Sequence, residues 1–182
     1  MIPELGQAAL ALALAVTVFQ TATALYGAAR VNAGWMAFAR PAAQAQALLV
    51  AFAFGCLVHA FVVNDFSVAY VAQNSNSALP LQYRVAGAWG GHEGSLLLWT
   101  LMLGLWTAGV TWFTRPLPAE MVARVVGVMG AISTGFLLFM LLTSNPFLRQ
   151  LEKGIGNGWR CQRSRCFAES ANGFPTLNKA CL

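Results

Sequence analysis

The sequence predicts an all-α protein, a polytopic helical bundle that crosses a membrane about four times. Three observations predict it. Only 9% of the 182 residues are charged and 58% are hydrophobic, whereas a domain solvated by water carries roughly 25% charged residues. Four apolar stretches each approach or reach the about 20 residues that a helix needs to cross roughly 30 Å of hydrocarbon. With four such stretches among residues 1–150, too little polar sequence remains to cover them in water.

The first stretch runs from Leu5 to Ala29 and is rich in Ala, Leu and Val, with Gln7 and Gln20 as polar exceptions. Met1 to Glu4 lacks the basic start of a secretory signal, and the apolar run is too long for one, so it reads as a retained span. The second stretch is Ala42–Val63, preceded by a link from Arg30 to Arg40 that Pro41 closes as a first-turn residue. The third, Ser95–Phe113, is followed by the turn Arg115-Pro116-Leu117-Pro118. The fourth, Met121–Leu142, carries Arg124 near its start and ends at Asn145-Pro146, since proline disfavours helix at the residue before it. Cys56 lies alone in a span and reads as a small packing residue. Gly127 and Gly130 read as helix-packing positions.

Charge placement orients the spans. Residues 1–150 hold six Arg, no Lys and four acids. Arg30, Arg40, Arg115 and Arg124 belong to the two short links, and the long link from Asn64 to Gly94 has only Arg84. Basic residues favour the cytoplasmic side, which places the N-terminus and the 64–92 link outside, in the periplasm. Arg149, Lys153, Arg160, Arg163 and Arg165 follow the fourth span and conflict with that rule. The Gly/Asn/Ser/Cys-rich stretch 150–182 therefore reads as an atypical basic tail, disordered or aberrant, outside the membrane unit of residues 1–149. Cys161 and Cys166 have no metal-ligand pattern around them. Residues 1–150 have no basic stripe of the kind nucleic acid requires, so lipid is the expected environment and nucleic acid is excluded.

The long link carries the chemistry-bearing residues. Phe66, Val68 and Tyr70 alternate and predict a short extended piece; Asn74-Ser75-Asn76-Ser77 is a polar turn. Tyr83 to Trp106 then reads YRVAGAWGGHEGSLLLWTLMLGLW. Trp89, Trp99 and Trp106 supply large amphipathic rings. Gly90, Gly91 and Gly94 allow close approach of a flat ligand or a second backbone. His92, Glu93 and Ser95 stand where the chain enters lipid, and ionisable groups there point to a functional site. The same residues also admit a plain reading of interfacial indoles, packing glycines and hydrated polar groups. No nucleophile–base pair or metal cluster appears at a recognisable spacing.

The segment Trp89-Gly90-Gly91-His92-Glu93-Gly94-Ser95-Leu96-Leu97-Leu98-Trp99 resembles the tryptophan-rich segment of the CcmF-type cytochrome c maturation proteins, the haem lyase membrane subunit. Ile2-Pro3-Glu4-Leu5-Gly6, the run from Ala60 to Val71, Asn74-Ser75-Asn76, Leu79-Pro80, Tyr83-Arg84-Val85-Ala86, Gly135 to Phe139 and Thr143 to Phe147 follow in family order. The resemblance covers residues 1–149. It implies a bacterial inner-membrane protein of cytochrome c-type biogenesis that takes b-type haem from a haem-carrier protein. With other maturation subunits, such a protein joins the haem vinyl groups by thioethers to the CxxCH thiols of an apocytochrome c. Aromatic rings suit the flat face of a porphyrin. Arg84 is a candidate for a haem propionate, and His92 and His59 are candidate axial haem ligands, with packing or substrate-facing roles as the alternative.

The sequence departs from that family after Asn145-Pro146, where Leu151 to Asn157 replaces the expected continuation. The family's later haem-binding part has no counterpart here. A truncated or frameshifted product, inactive alone as a haem lyase, is the expectation. The competing reading is a small helical scaffold subunit of a membrane transporter or redox complex with no catalytic role.

Overall fold

The computed structural model describes residues 2–75, 80–114 and 118–149, together with the backbone of 167–169 and 175–177. Among the described residues six helices follow in order: α1 Ile2–Ala29, α2 Ala33–Val63, α3 Ala69–Asn74, α4 Leu81–Gly90, α5 His92–Phe113 and α6 Ala119–Thr143. Four of them, α1, α2, α5 and α6, are long and apolar enough to cross a membrane. The shortest, α5, has 22 residues, which at 1.5 Å per residue gives about 33 Å. Large apolar side chains point outward all along them, among them Leu12, Phe19, Phe52, Trp99, Trp106, Phe139 and Leu142. In lipid that outer surface is solvated, and helices satisfy their own backbone hydrogen bonds. The chain is a multi-pass membrane protein.

The four spans form a ring in which α1 packs on α2 and α6, and α5 packs on α2 and α6. Small residues set the close approaches. A side chain on Gly127 would stand 2.8 Å from Leu25, and one on Gly130 would stand 2.7 Å from the Thr21 hydroxyl. Both glycines of α6 therefore pack on α1, as their spacing predicts. Cys56 is buried in the core beside α1 and α6 residues.

Two boundaries differ from the sequence expectation. The second span begins at Ala33, not Ala42, and Pro41 lies inside the helix. Asn32 caps it, accepting the Gly34 N–H at 3.0 Å, and Trp35 stacks edge-on against Tyr26 of α1 at 5.9 Å. That packing supports the extra two turns, and a proline costs a membrane helix little when neighbours cover the freed carbonyl. The first link therefore shrinks to Arg30–Asn32. The third span begins at His92, which puts His92 and Glu93 in the first turn of α5. An acid there suits the helix N-terminus.

The long link is mostly helical. The predicted extended piece is reduced to one bridge between Val68 and Arg149, and Tyr70 belongs to α3. Asn64, in the left-handed conformation at φ 56°, ends α2 and donates its N–H back to the Ala60 and Phe61 carbonyls. Asn76 and Ser77 lie outside the described residues, as do Arg115 to Leu117.

The N-terminus, the long link and the exit of α6 share one end of the bundle. Ala69 donates to the Leu148 carbonyl at 2.9 Å. Arg149 pairs with Glu4 at 3.1 Å, and the Phe147 ring lies against Gly6, where a side chain would collide with it. Arg40 reaches the Thr114 carbonyl at the opposite end, where Arg124 pairs with Glu120.

Residues Gln150–Leu182 are a separate unit. Within it, strand β1 Phe167–Glu169 pairs antiparallel with β2 Pro175–Leu177, a short element absent from the sequence expectation. The rest of the tail, including the expected disorder, lies outside the described residues.

At the exit of α2 the Ser67 hydroxyl donates to Asp65 at 2.7 Å and the Ser67 N–H at 3.2 Å. The hydroxyl bond, seconded by the backbone N–H, holds the Asp65 carboxyl below its ordinary pKa against a partial desolvation. A depressed carboxylate adds stability above its unfolded pKa, about 3.9, and that contribution disappears as pH falls through the folded pKa. An NMR titration of Asp65 is expected to give a pKa below about 3.9, raised by Ser67→Ala. An identical value in both proteins contradicts the assignment.

Candidate functional site

The tryptophan–glycine segment folds as a helix–helix corner. Helix α4 ends and α5 begins at the same residue, Gly91, whose φ of −106° and ψ of 170° break the helix. Two polar side chains tie the corner. Ser95 donates its hydroxyl to the Trp89 carbonyl at 2.8 Å, closing one of the last carbonyls of α4. Tyr70, 4% exposed, places its hydroxyl beneath the corner. That hydroxyl lies 3.2 Å from the Gly87 carbonyl and 3.3 Å from the Ala88 carbonyl, its acceptors, and accepts the Gly91 N–H at 3.0 Å. Burial pushes the Tyr70 pKa up, so the proton needed for donation stays in place. The Tyr70 ring also meets Phe61 of α2 edge-on at 5.4 Å.

The glycines divide into two kinds. A side chain at Gly91 would stand 2.7 Å from the Tyr70 ring, and one at Gly94 would run into the Ala88 carbonyl and the Tyr70 hydroxyl. A side chain at Gly87, unremarked in the sequence, would stand 3.0 Å from the Phe61 ring and 3.1 Å from the Asn74 carbonyl, tight but less so. These are packing glycines. Gly90 has nothing within 4 Å of its Cβ position and is the open one.

Around it, Trp89 is 43% exposed and His92 is exposed. The His92 ring lies edge-on to Phe139 of α6, 6.5 Å between centroids. Glu93 is partly exposed in the same turn. Trp99 is 68% exposed further along α5, within the span. Arg84 donates to the Val62 carbonyl at 3.3 Å, joining α4 to the end of α2. His59 stands elsewhere, exposed in a shallow pocket lined with Ile2, Pro3, Val63 and Asp65. His92 thus neighbours α6 and His59 neighbours α1. Among the described residues no three His, Cys, Asp or Glu side chains converge as a metal site.

Tyr70 is the residue that sequence reasoning missed. Its segment belongs to the resemblance, but nothing in the local pattern says that its hydroxyl reaches residues 17 to 21 positions away.

The comparisons with known proteins agree with the residues quoted above. No family model matches the sequence. The cytochrome c-type biogenesis protein CcmF of Pseudomonas aeruginosa is 60% identical over 151 residues, 83% of this chain and 23% of that protein. The protein of the same name from Escherichia coli K12 is 52% identical over 151 residues, again 83% and 23%. This chain matches the N-terminal part of the CcmF-type cytochrome c biogenesis family. A solved structure of the cytochrome c haem lyase CcmF superposes with a TM-score of 0.76 at 31% identity, covering 81% of this chain and 25% of that one. The CcmF match therefore spans about a quarter of the length of these relatives.

The two kinds of glycine make a direct test. Gly94→Ala is expected to lower the folded fraction in detergent strongly, because the obstacle is backbone. Gly90→Ala is expected to match the wild type. Tyr70→Phe leaves the Gly91 N–H without its partner and is expected to cost about 1–3 kcal/mol by thermal unfolding. Equal stability of Gly94→Ala and Gly90→Ala contradicts this corner.

Proposed function

We propose that this chain is a membrane unit of cytochrome c-type biogenesis, in which the α4–α5 corner offers its exposed face to haem at the periplasmic side. The single observation that carries the reading is the open surface formed by Trp89, Gly90 and His92 beside a rigidly tied backbone. An indole next to a glycine without obstruction accepts a flat porphyrin face, and stacking of this kind is worth about 0.5–1.5 kcal/mol beyond the area buried. The partners on this reading are a haem-carrier protein, an apocytochrome c and the other maturation subunits. The haem is b-type, as substrate or bound group. Arg84, held at the rim of the corner, is the candidate for a propionate. The spatial separation of neighbours around His92 and His59 favours a stacking surface over a haem ligated by both. Thioether formation belongs to the whole proteins that the relatives represent.

The placement of the corner in the periplasm is supported by arginine distribution. Of residues 1–149, the end opposite the corner holds Arg30, Arg40, Arg115 and Arg124 by sequence, and the corner's end holds Arg84 and Arg149. The Glu4 carboxylate pairs with Arg149 and offsets one of those two.

A scaffold role is the second reading. It is favoured by Gly91 and Gly94, which Tyr70 and Ala88 explain without any ligand.

The experiment is a haem titration of the chain in lipid nanodiscs, read by quenching of tryptophan fluorescence. Trp89→Leu is expected to weaken binding roughly two- to tenfold, the stacking energy expressed as affinity. Binding that ignores Trp89 and Gly90→Leu alike supports the scaffold.

A further inference from the structure

Towards the end opposite the corner, the lipid-facing surface of the bundle carries a groove between α2 and α5. The two helices run antiparallel there: Ala47 lies against Gly104, and Arg40 donates to the Thr114 carbonyl at 3.5 Å. The groove has a volume of about 560 Å³. Small residues open it. Ala47 and Ala51 line it from α2, and Ala108 and Gly109 line it from α5. Nothing stands within 4 Å of a Cβ at Gly109. The larger exposed side chains of Leu48 and Trp112 add to the lining from the two helices.

Two polar groups follow each other in depth. Gln44 is exposed in the groove. Arg40 precedes it by one turn on the same face of α2. The bond from Arg40 to Thr114, the neighbour of the groove residue Phe113, sets the guanidinium at the outer end of the groove. From Arg40 to Gln44 is about 6 Å along the helix, and from Gln44 to Ala51 about 10 Å more. Among the described residues of the bundle no carboxylate remains to neutralise Arg40. Glu4, Asp65 and Glu93 belong to the corner's end, and Glu120 pairs with Arg124. A guanidinium has five N–H donors, so the Thr114 carbonyl leaves most of them for another acceptor.

Lipid tails are as apolar as the groove, so its apolar lining alone selects nothing. A cation, then an amide, then an apolar channel is a selective order, because a phospholipid presents its phosphate, ester carbonyls and acyl chains in that sequence. We propose that this groove binds an anionic phospholipid. The phosphate lies on the Arg40 guanidinium, an ester carbonyl accepts from the Gln44 Nε2, and one acyl chain lies between α2 and α5. A guanidinium matches phosphate oxygens in geometry. One basic side chain near a membrane surface favours anionic lipid by about fivefold in affinity. On the arginine distribution this is the cytoplasmic leaflet, and the site itself is the same whichever leaflet it faces.

The test is photo-crosslinking of the full chain in phosphatidylcholine nanodiscs. These are doped with phosphatidylglycerol that carries a diazirine on one acyl chain, or with phosphatidylcholine labelled in the same way, and the labelled peptides are identified by mass spectrometry. Phosphatidylglycerol is expected to label the groove faces of α2 and α5 about fivefold more than phosphatidylcholine. Arg40→Gln is expected to remove that preference and Arg40→Lys to keep most of it. Gly109→Leu, at the open position, is expected to lower labelling of the groove by both lipids at unchanged helicity. Arg30, which stacks on Tyr26, lies outside the groove, and Arg30→Gln is expected to leave the preference intact. Equal labelling by the two lipids overturns the proposal. So does an equal loss in Arg30→Gln and Arg40→Gln, which is diffuse attraction to a basic surface. A groove free of label because a second copy of the chain covers it overturns it as well.

Discussion

Inside lipid a chain has no water to finish its hydrogen bonds, and this chain must turn sharply where it re-enters the membrane. The break between α4 and α5 frees carbonyls at one helix end and N–H groups at the next. The Tyr70 hydroxyl meets that demand, with acceptors in Gly87 and Ala88 and the Gly91 N–H as its donor. It comes from α3, which is itself anchored through Ala69 to Leu148. The corner, the long link and the exit of α6 are thereby one assembly, and the exposed face of Trp89 and His92 is held by it.

This arrangement separates two uses of glycine that look alike in sequence. Gly87, Gly91 and Gly94 admit the Tyr70 and Phe61 rings and the Ala88 carbonyl; Gly90 borders open space. A glycine-rich motif is therefore partly scaffold and partly surface. Rigidity beneath and openness above are what a flat, apolar ligand requires, because little ordering remains to be paid on binding.

The spans were legible because twenty-residue apolar runs leave few alternatives. Pro41 misled because a proline at the end of a polar link resembles a helix start, while the Trp35–Tyr26 contact that favours helix before it lies between two spans. Phe66, Val68 and Tyr70 alternate like a strand, but only Val68 finds a strand partner, in Arg149. The motif around His92 was legible as a place, and the resemblance of residues 1–149 agrees with the CcmF match. What joins it was not legible: the Tyr70 hydroxyl, the open side of Gly90 and the groove beside Gln44 depend on register between helices far apart in sequence.

The account rests on the α4–α5 corner facing the periplasm. The direct measurement is labelling of a single cysteine, introduced as Gly90→Cys with Cys56, Cys161, Cys166 and Cys181 replaced by serine, in intact bacterial cells whose outer membrane has been permeabilised. A membrane-impermeant maleimide is predicted to react at position 90 before the inner membrane is opened. Reaction only after the cells are lysed would put the corner in the cytoplasm and contradict the account.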